Sequence, residues 1–397
     1  MDLLKAMQNF KNLLVSAILV ALTVTSAIPY ASSYSQAGQV TLLATSRENL
    51  FVGAVAGGGY LYVGLLNGSI EKMNPQSGLA VAILALPDRN SAAHLLYYNG
   101  SLYVGTEFLR GAKNTAPYHI YRIDPRTMQV RAQLPMQGHD ANGFVFEFKG
   151  YLWSGDGLCT LLKITPDTLS VVGRVPNVAE DEMIYDGTYF WTECRNAVSV
   201  LKSDSLTVVA TGALPPPGRP RGFFEVGSNV YSMNSADFTL YRMSVSGDKV
   251  VFENRGTLGN HALGTRDTFS KNGLLYVYET SDNASVQASI SVYDVNFNLK
   301  AVIALPGYGL PPDASQHSMF LLNGMIYYVT ASSIGYFAPL DGHTLSNIST
   351  SVLSASTFIS SSPNNVSIDW RLLIVLMVAI GVTVTAVYLR RAKAIQV

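Results

Sequence analysis

Along most of this chain apolar and polar positions alternate with a period of two, in runs of five to eight residues bounded by turn formers. Residues two apart share one face of a strand, so the pattern predicts half-buried β-strands. The runs recur in a fixed order. A glycine turn, serine in one copy, opens GYLYVG (59–64), GSLYVG (100–105), GYLWSG (150–155), GTYFWT (187–192), SNVYSM (228–233), GLLYVY (273–278) and GMIYYV (324–329). Three residues after each turn position stands an aromatic: Tyr62, Tyr103, Trp153, Phe190, Tyr231, Tyr276 and Tyr327.

A second phrase follows each of these strands, as in SIEKMNP (69–75), HIYRIDP (119–125), TLLKITP (160–166) and TLYRMSV (239–245). Its Asn-Pro, Asp-Pro and Thr-Pro endings initiate turns and close a hairpin. Another strand comes next, such as AVAILALP (80–87) or QVRAQLP (129–135). An apolar strand, such as HLLYY (94–98) or FVFEF (144–148), precedes each glycine turn. The unit therefore has four strands, and the copies lie 37 to 51 residues apart, the size of one propeller blade. The expected fold is all-β, a seven-bladed β-propeller of four-stranded blades spanning 39–342, with a C-terminal transmembrane helix. A lone blade cannot bury both faces, so the fixed aromatic is expected to pack between neighbours. The last unit lacks an outer strand. QVTLLATS (39–46) is the preferred closer, and NISTSVLSA (347–355) is the alternative.

LYVG, then IYRIDPRT, then a strand ending in Leu-Pro resembles the repeat of seven-bladed propellers of the YVTN, NHL and quinoprotein-like kind. The resemblance covers roughly 39–342 and implies a fold alone. The Trp-Asp ending of WD40 blades, the Gly-Gly doublet of kelch and the tryptophan-docking phrase of quinone-binding propellers are all missing.

The ends predict an exported, anchored protein. Lys5 and Lys11 precede and interrupt the approach to an uncharged run, Leu13 to Leu22, with Thr25, Ser26 and Ala27 after it. A positive region, an apolar core and small residues make a signal peptide over 1–27, with an uncleaved anchor as the alternative. Leu372 to Leu389 is 18 residues without a charge. As a helix it measures ~27 Å, enough to span a bilayer core. Arg390, Arg391 and Lys393 mark the cytoplasmic side, which leaves 390–397 as a tail. Residues 343–368 are rich in Ser, Thr and Asn and read as a stalk. The expected location is the cell membrane, with one pass and a large outside domain.

Composition narrows the partners. The 27 basic residues balance 27 acidic ones, and only 14% of the chain is charged, so nothing favours nucleic acid. Asn67, Asn99, Asn283, Asn347 and Asn365 begin Asn-x-Ser sequons and are glycosylation candidates. Cys159 and Cys194, the only cysteines, occupy similar places in neighbouring repeats. In an oxidising compartment they are expected to form a disulfide.

Candidate chemistry sits at one rim, where second strands run into third strands and outer strands into the next blade. Six residues after the turn position the register places Leu65, Thr106, Asp156, Glu193, Asn234, Glu279 and Thr330. Loops leading into the inner strands add His94, Asp181, Arg221, Asp267 and His317. Their neighbours His139, Asp140, Glu182, His261 and Arg266 fall in the same loops. Carboxylates and an amide oxygen on such a ring suit Ca²⁺, another divalent cation or a polar ligand. A polar, solvated mouth without a ligand is the competing reading. No GxSxG, HExxH, P-loop or dinucleotide fingerprint is present. The leading expectation is a surface module binding a glycan, a peptide or an envelope protein. A metal-dependent hydrolase or lyase acting on a sugar or lactone is the second, and a structural envelope component the third.

Overall fold

A computed structural model of the chain describes residues 40–46, 49–107, 117–136, 145–179, 183–216, 218, 220–234, 236–258, 264–280, 287–308 and 318–340. The expected signal peptide, stalk, transmembrane span and tail lie outside these residues, as do Asn283, Asn347 and Asn365. Among the described residues every regular element is a strand, and no helix is long and apolar enough to cross a membrane.

The strands follow one another as antiparallel meanders. After β1 (Thr41–Thr45) comes a sheet of β2 (Phe51–Gly57), β3 (Tyr60–Leu65), β4 (Ser69–Met73) and β5 (Ala80–Ala85). The next holds β6 (Ser91–Tyr98), β7 (Ser101–Glu107), β8 (His119–Asp124) and β9 (Gln129–Pro135). The third holds β10 (Phe146–Phe148), β11 (Tyr151–Gly155), β12 (Leu161–Ile164) and β13 (Val171–Val175). Two further meanders share one eight-stranded sheet. They are β14 (Met183–Tyr185), β15 (Tyr189–Cys194), β16 (Ala197–Lys202) and β17 (Val208–Ala213), then β18 (Pro220–Val226), β19 (Asn229–Asn234), β20 (Thr239–Ser246) and β21 (Lys249–Thr257). Their outer strands β17 and β21 touch edge to edge, in parallel, at Thr211 and Lys249. Then come β22 (Gly264–Lys271), β23 (Leu274–Thr280), β24 (Gln287–Tyr293) and β25 (Leu299–Tyr308). The last meander is β26 (Met319–Leu322), β27 (Met325–Val329) and β28 (Ser333–Phe337).

That last sheet is completed by β1, which pairs antiparallel with β28. Residues from the two ends of the described chain thus share one sheet, as expected for 39–46, and no open edge is left on β28. The alternative closer, 347–355, lies outside the described residues.

The repeated aromatics sit where alternation puts them. Tyr62, Tyr103, Trp153, Tyr231, Tyr276 and Tyr327 are buried on the second strand of their sheets. Each packs between sheets: Tyr62 lies with Leu95 and Leu102 of the next sheet, Tyr103 with Leu152 and Leu162, and Tyr327 with Leu61 and Val63. Burying one such side chain is worth about 1.5–3 kcal/mol, so this stripe carries much of the inter-sheet cohesion.

One copy departs from the expected register. Most first-to-second-strand turns are X-Gly pairs with positive φ at both residues, such as Asn99 at 46° and Gly100 at 72°. That backbone matches strand twist and needs glycine at its second position. Between β14 and β15 glycine comes first: Gly187 has φ 88°, while Thr188 is not left-handed. The backbone bond from Asp186 N to Tyr189 O, 3.1 Å, closes the turn around Gly187-Thr188. The true turn position is Thr188, so every later residue of that strand shifts by one. Trp191, and not Phe190, faces the following sheet, packed with Val230 and Met243. Phe190 points back onto Trp153, Phe146 and Phe148 of the preceding sheet.

A polar stitch also recurs between sheets. Lys72 Nζ donates to Pro125 O at 2.9 Å, and Arg122 Nη1 donates to Asp167 O at 2.7 Å. Both come from the third strand of one sheet and reach the third-to-fourth-strand turn of the next.

Candidate functional site

In an antiparallel meander the second-to-third connection and the exit to the next sheet lie at the same end. The residues six past the turn therefore gather at that rim. They are buried there. Thr106, Asn234 and Thr330 expose 0%, Glu279 2% and Asp156 4%, so these groups face protein and not water.

Each is held by partners close at hand. Asp156 Oδ1 accepts from the amides of Leu158 and Thr160, at 2.8 and 2.9 Å, and so builds the β11–β12 turn. Asn234 Nδ2 donates to Pro215 O at 3.1 Å, while its Oδ1 accepts from Ala236 N. Thr330 Oγ1 accepts from Ser333 N and donates toward Pro306 O at 3.4 Å. Glu279 Oε2 accepts from the Ser291 hydroxyl at 2.7 Å, across the β23–β24 pair. Pro215 follows β17 and Pro306 lies near the end of β25, the outer strands of the preceding meanders. Asn234 and Thr330 thus latch the ends of β19 and β27 to the exit of the meander before each.

Glu193 is buried on β15 opposite Val198. Because of the shifted turn, it lies one residue short of the shared position, and Cys194 occupies that place. Cys194 is bonded to Cys159 in the turn after β11, with Cα atoms 5.4 Å apart. The expected disulfide is present and joins neighbouring sheets. Cys159 O also accepts from Val178 N at 2.8 Å, which draws the end of the third sheet into the same latch.

The inner-strand group is only partly described. Asp267 Oδ2 accepts from Met319 N at 2.8 Å, in the following sheet. Arg221 lies on β18 across from Met233; its side chain, and that of Arg266, are outside the described set. Asp181 and His317 lie outside the described residues, as do His139, Asp140, Glu182 and His261. Asn67 and Asn99 are exposed, on opposite rims of the same fold. Among the described residues no group of three or more His, Cys, Asp or Glu side chains is placed to hold a metal ion.

A second polar cluster pairs two histidines with two acids. His94 Nε2 meets Glu107 Oε2 at 2.6 Å, with both side chains almost fully buried. Ser91 stands directly across from Glu107, on the same face of the β6–β7 pair. On the opposite face, Asp88 Oδ2 accepts from Thr106 Oγ1 and meets His119 Nδ1, each at 3.0 Å. The His119 ring stacks on Tyr121 at 5.2 Å. Burial, and then the Asp88 carboxylate, push the Tyr121 phenol well above its ordinary range. Asp88 and Glu107 are not singled out by the repeat offsets. Their pairing with histidines 31 and 13 residues away needed the fold.

No family model matches this chain, and no curated protein matches it. Solved structures do. The β-propeller domain of Cps50 (Swd1) from Myceliophteria thermophila matches with a TM-score of 0.54 at 8% identity, covering 76% of this chain and all of that domain. The computationally designed Ika8 protein matches with a TM-score of 0.50 at 12% identity, covering 75% of this chain and all of the design. At such identity the likeness is one of fold: the chain is built as a β-propeller.

Proposed function

We propose that this chain is a membrane-anchored, cell-surface propeller of seven blades that binds a glycan, a peptide or an envelope protein through one rim. Counting each half of the eight-stranded sheet as a blade makes seven four-stranded blades. Export and anchoring rest on Leu13–Leu22 and Leu372–Leu389 with their basic flanks.

One observation carries the choice of rim: the connections are unequal. At one end, turns of two to six residues, such as Asn99-Gly100, join the strands. At the other, the sequence places 108–118, 136–145 and 309–318 between consecutive strands. Long connections on a rigid scaffold are where recognition is built. The buried acids and amide of that rim are engaged with the protein itself, so their role in this reading is to hold the loops. A divalent-metal hydrolase or lyase would need ligands from beyond the described residues, such as 137–144, 180–182, 259–263 or 309–317, to complete a set.

The test uses full-length protein in lipid vesicles, presented to a printed glycan set and to surface-derived peptides. Replacing 108–116 by an Asn-Gly turn should abolish binding while the melting temperature is kept. Binding that survives this and a matching replacement of 309–317, or no binding at all, overturns the reading. Stoichiometric divalent metal together with lactone turnover would favour the hydrolase. Protease added to intact cells should release the propeller; protection until lysis would refute export.

A further inference from the structure

We infer that Asp88 is the positioning residue of the 108–116 connection, holding both feet of that loop on the segment that enters its own sheet. The inference rests on reading the long-connection rim as the recognition surface. Seven second-to-third-strand connections reach that rim. This one, 108–118, is the longest at eleven residues, and the other six have two to six. At two of those six, Asn234 and Thr330 reach the carbonyls of Pro215 and Pro306. Thr106 reaches instead the side chain of Asp88, one residue after Pro87. A carbonyl offers one oxygen, whereas a carboxylate offers two and can serve several donors at once.

Each foot of the loop is tied to the segment 88–94. At the first, Thr106 Oγ1 donates to Asp88 Oδ2 at 3.0 Å, and beside it Glu107 Oε2 meets His94 Nε2 at 2.6 Å. At the second, His119 Nδ1 meets the same Asp88 oxygen at 3.0 Å, and Pro117 O accepts from Asn90 Nδ2 at 3.4 Å. The feet are also tied to each other, since His119 N donates to Thr106 Oγ1 at 2.9 Å. Asp88 Oδ1 accepts from Asn90 N at 3.1 Å, which fixes the entry to β6. The Asp88 and His119 side chains are only 7% and 11% exposed, so water competes little for these bonds. Fixing the ends of a loop reduces the ordering it must undergo on binding. Asp88 thereby acts on recognition without touching a ligand.

Arg110 and Lys113 make the loop a trypsin substrate, and cutting within a folded protein follows local opening. In the full-length protein in lipid vesicles, Asp88→Ala should speed cutting at these two sites about tenfold. Cutting at the exposed Lys149, on the opposite rim, should keep the parent's rate. Asp88→Asn, whose amide can bond both Thr106 Oγ1 and the His119 ring, should restore slow cutting. A glycan or peptide that the parent binds should bind Asp88→Ala about tenfold more weakly and Asp88→Asn as it binds the parent. Parent-like cutting of Asp88→Ala at Arg110 and Lys113, equal acceleration at Lys149, or undiminished binding overturns the inference. Should Asp88→Ala fail to fold, Thr106→Val, which keeps the volume and removes the hydroxyl, decides by the same contrast. A parent that binds nothing, with the trypsin contrast intact, fails the recognition reading alone and leaves Asp88 as the anchor of the loop.

Discussion

Cys194 stands on β15 where Thr106 stands on β7, and where Thr106 hydrogen-bonds to Asp88, Cys194 is covalently joined to Cys159 of the preceding sheet. The same rim position is a tie between sheets in both cases, once by a hydroxyl and once by sulfur. The bond closes a loop with a sequence separation of 35. Loop-closure entropy for such a length predicts that Cys159→Ser with Cys194→Ser costs about 3–4 kcal/mol. Urea midpoints of the variant and the parent measure it. An unchanged midpoint would mean that the tie adds nothing.

Asp156 separates a structural role from a ligand role. Its Oδ1 serves two turn amides, and an amide oxygen can do the same. Asp156→Asn should therefore stay within about 1 kcal/mol of the parent, whereas Asp156→Ala should lose about 1–3 kcal/mol. Chemical denaturation reads both, and equal losses would contradict this account.

Removing one partner of the buried His94–Glu107 pair leaves a polar group stranded between sheets. Glu107→Leu alone should cost about 3–5 kcal/mol, and adding His94→Leu should recover part of that loss. A double-mutant cycle with no coupling would show that the 2.6 Å contact contributes little.

Glu71 faces Val63 and Ile83 across its sheet, and burial raises its carboxyl above the ordinary 4.5. A raised acid favours the folded state only while protonated in both states. Its contribution is full below 4.5 and is lost as pH rises through the higher folded value. Glu71→Gln should raise the melting temperature at neutral pH, and the gain should vanish below 4.5. Scanning calorimetry at several pH values checks it, and a pH-independent difference would refute the assignment.

Asp124 works in the opposite sense. The Arg131 side chain, then the backbone amides of Arg126 and Thr127, hold its carboxyl down at about 2. This contribution is present above the ordinary 3.8 and fades as pH falls toward about 2. Asp124→Asn should flatten the acid limb of the stability profile between those values. An acid limb identical to the parent's would argue against the Arg131 contact in solution.

Period-two alternation, glycine turns and the recurring aromatic were enough to announce four-stranded units packed face against face. Those signals are local, and each acts within one hairpin. β1 as the closing strand was legible for a related reason: the final unit was one strand short, and 39–46 was an apolar run of the right kind. What lay beyond the sequence depended on contacts between units. Gly187-Thr188 and the X-Gly turns look alike in one dimension. Only the strand pairing shows that glycine sits first there, moving Trp191 into the aromatic stripe and Cys194 into the rim position. Fixed offsets place Asp156, Asn234 and Glu279 at the same end of their meanders, but not their burial, which depends on their partners: the Asp156 turn itself, Ser291 across the β23–β24 pair for Glu279, and Pro215 before β18 for Asn234. Asp88 with His119, and His94 with Glu107, came together for the same reason. Periodicity reports which face a side chain takes, whereas its partner on that face is decided by how the sheets are stacked.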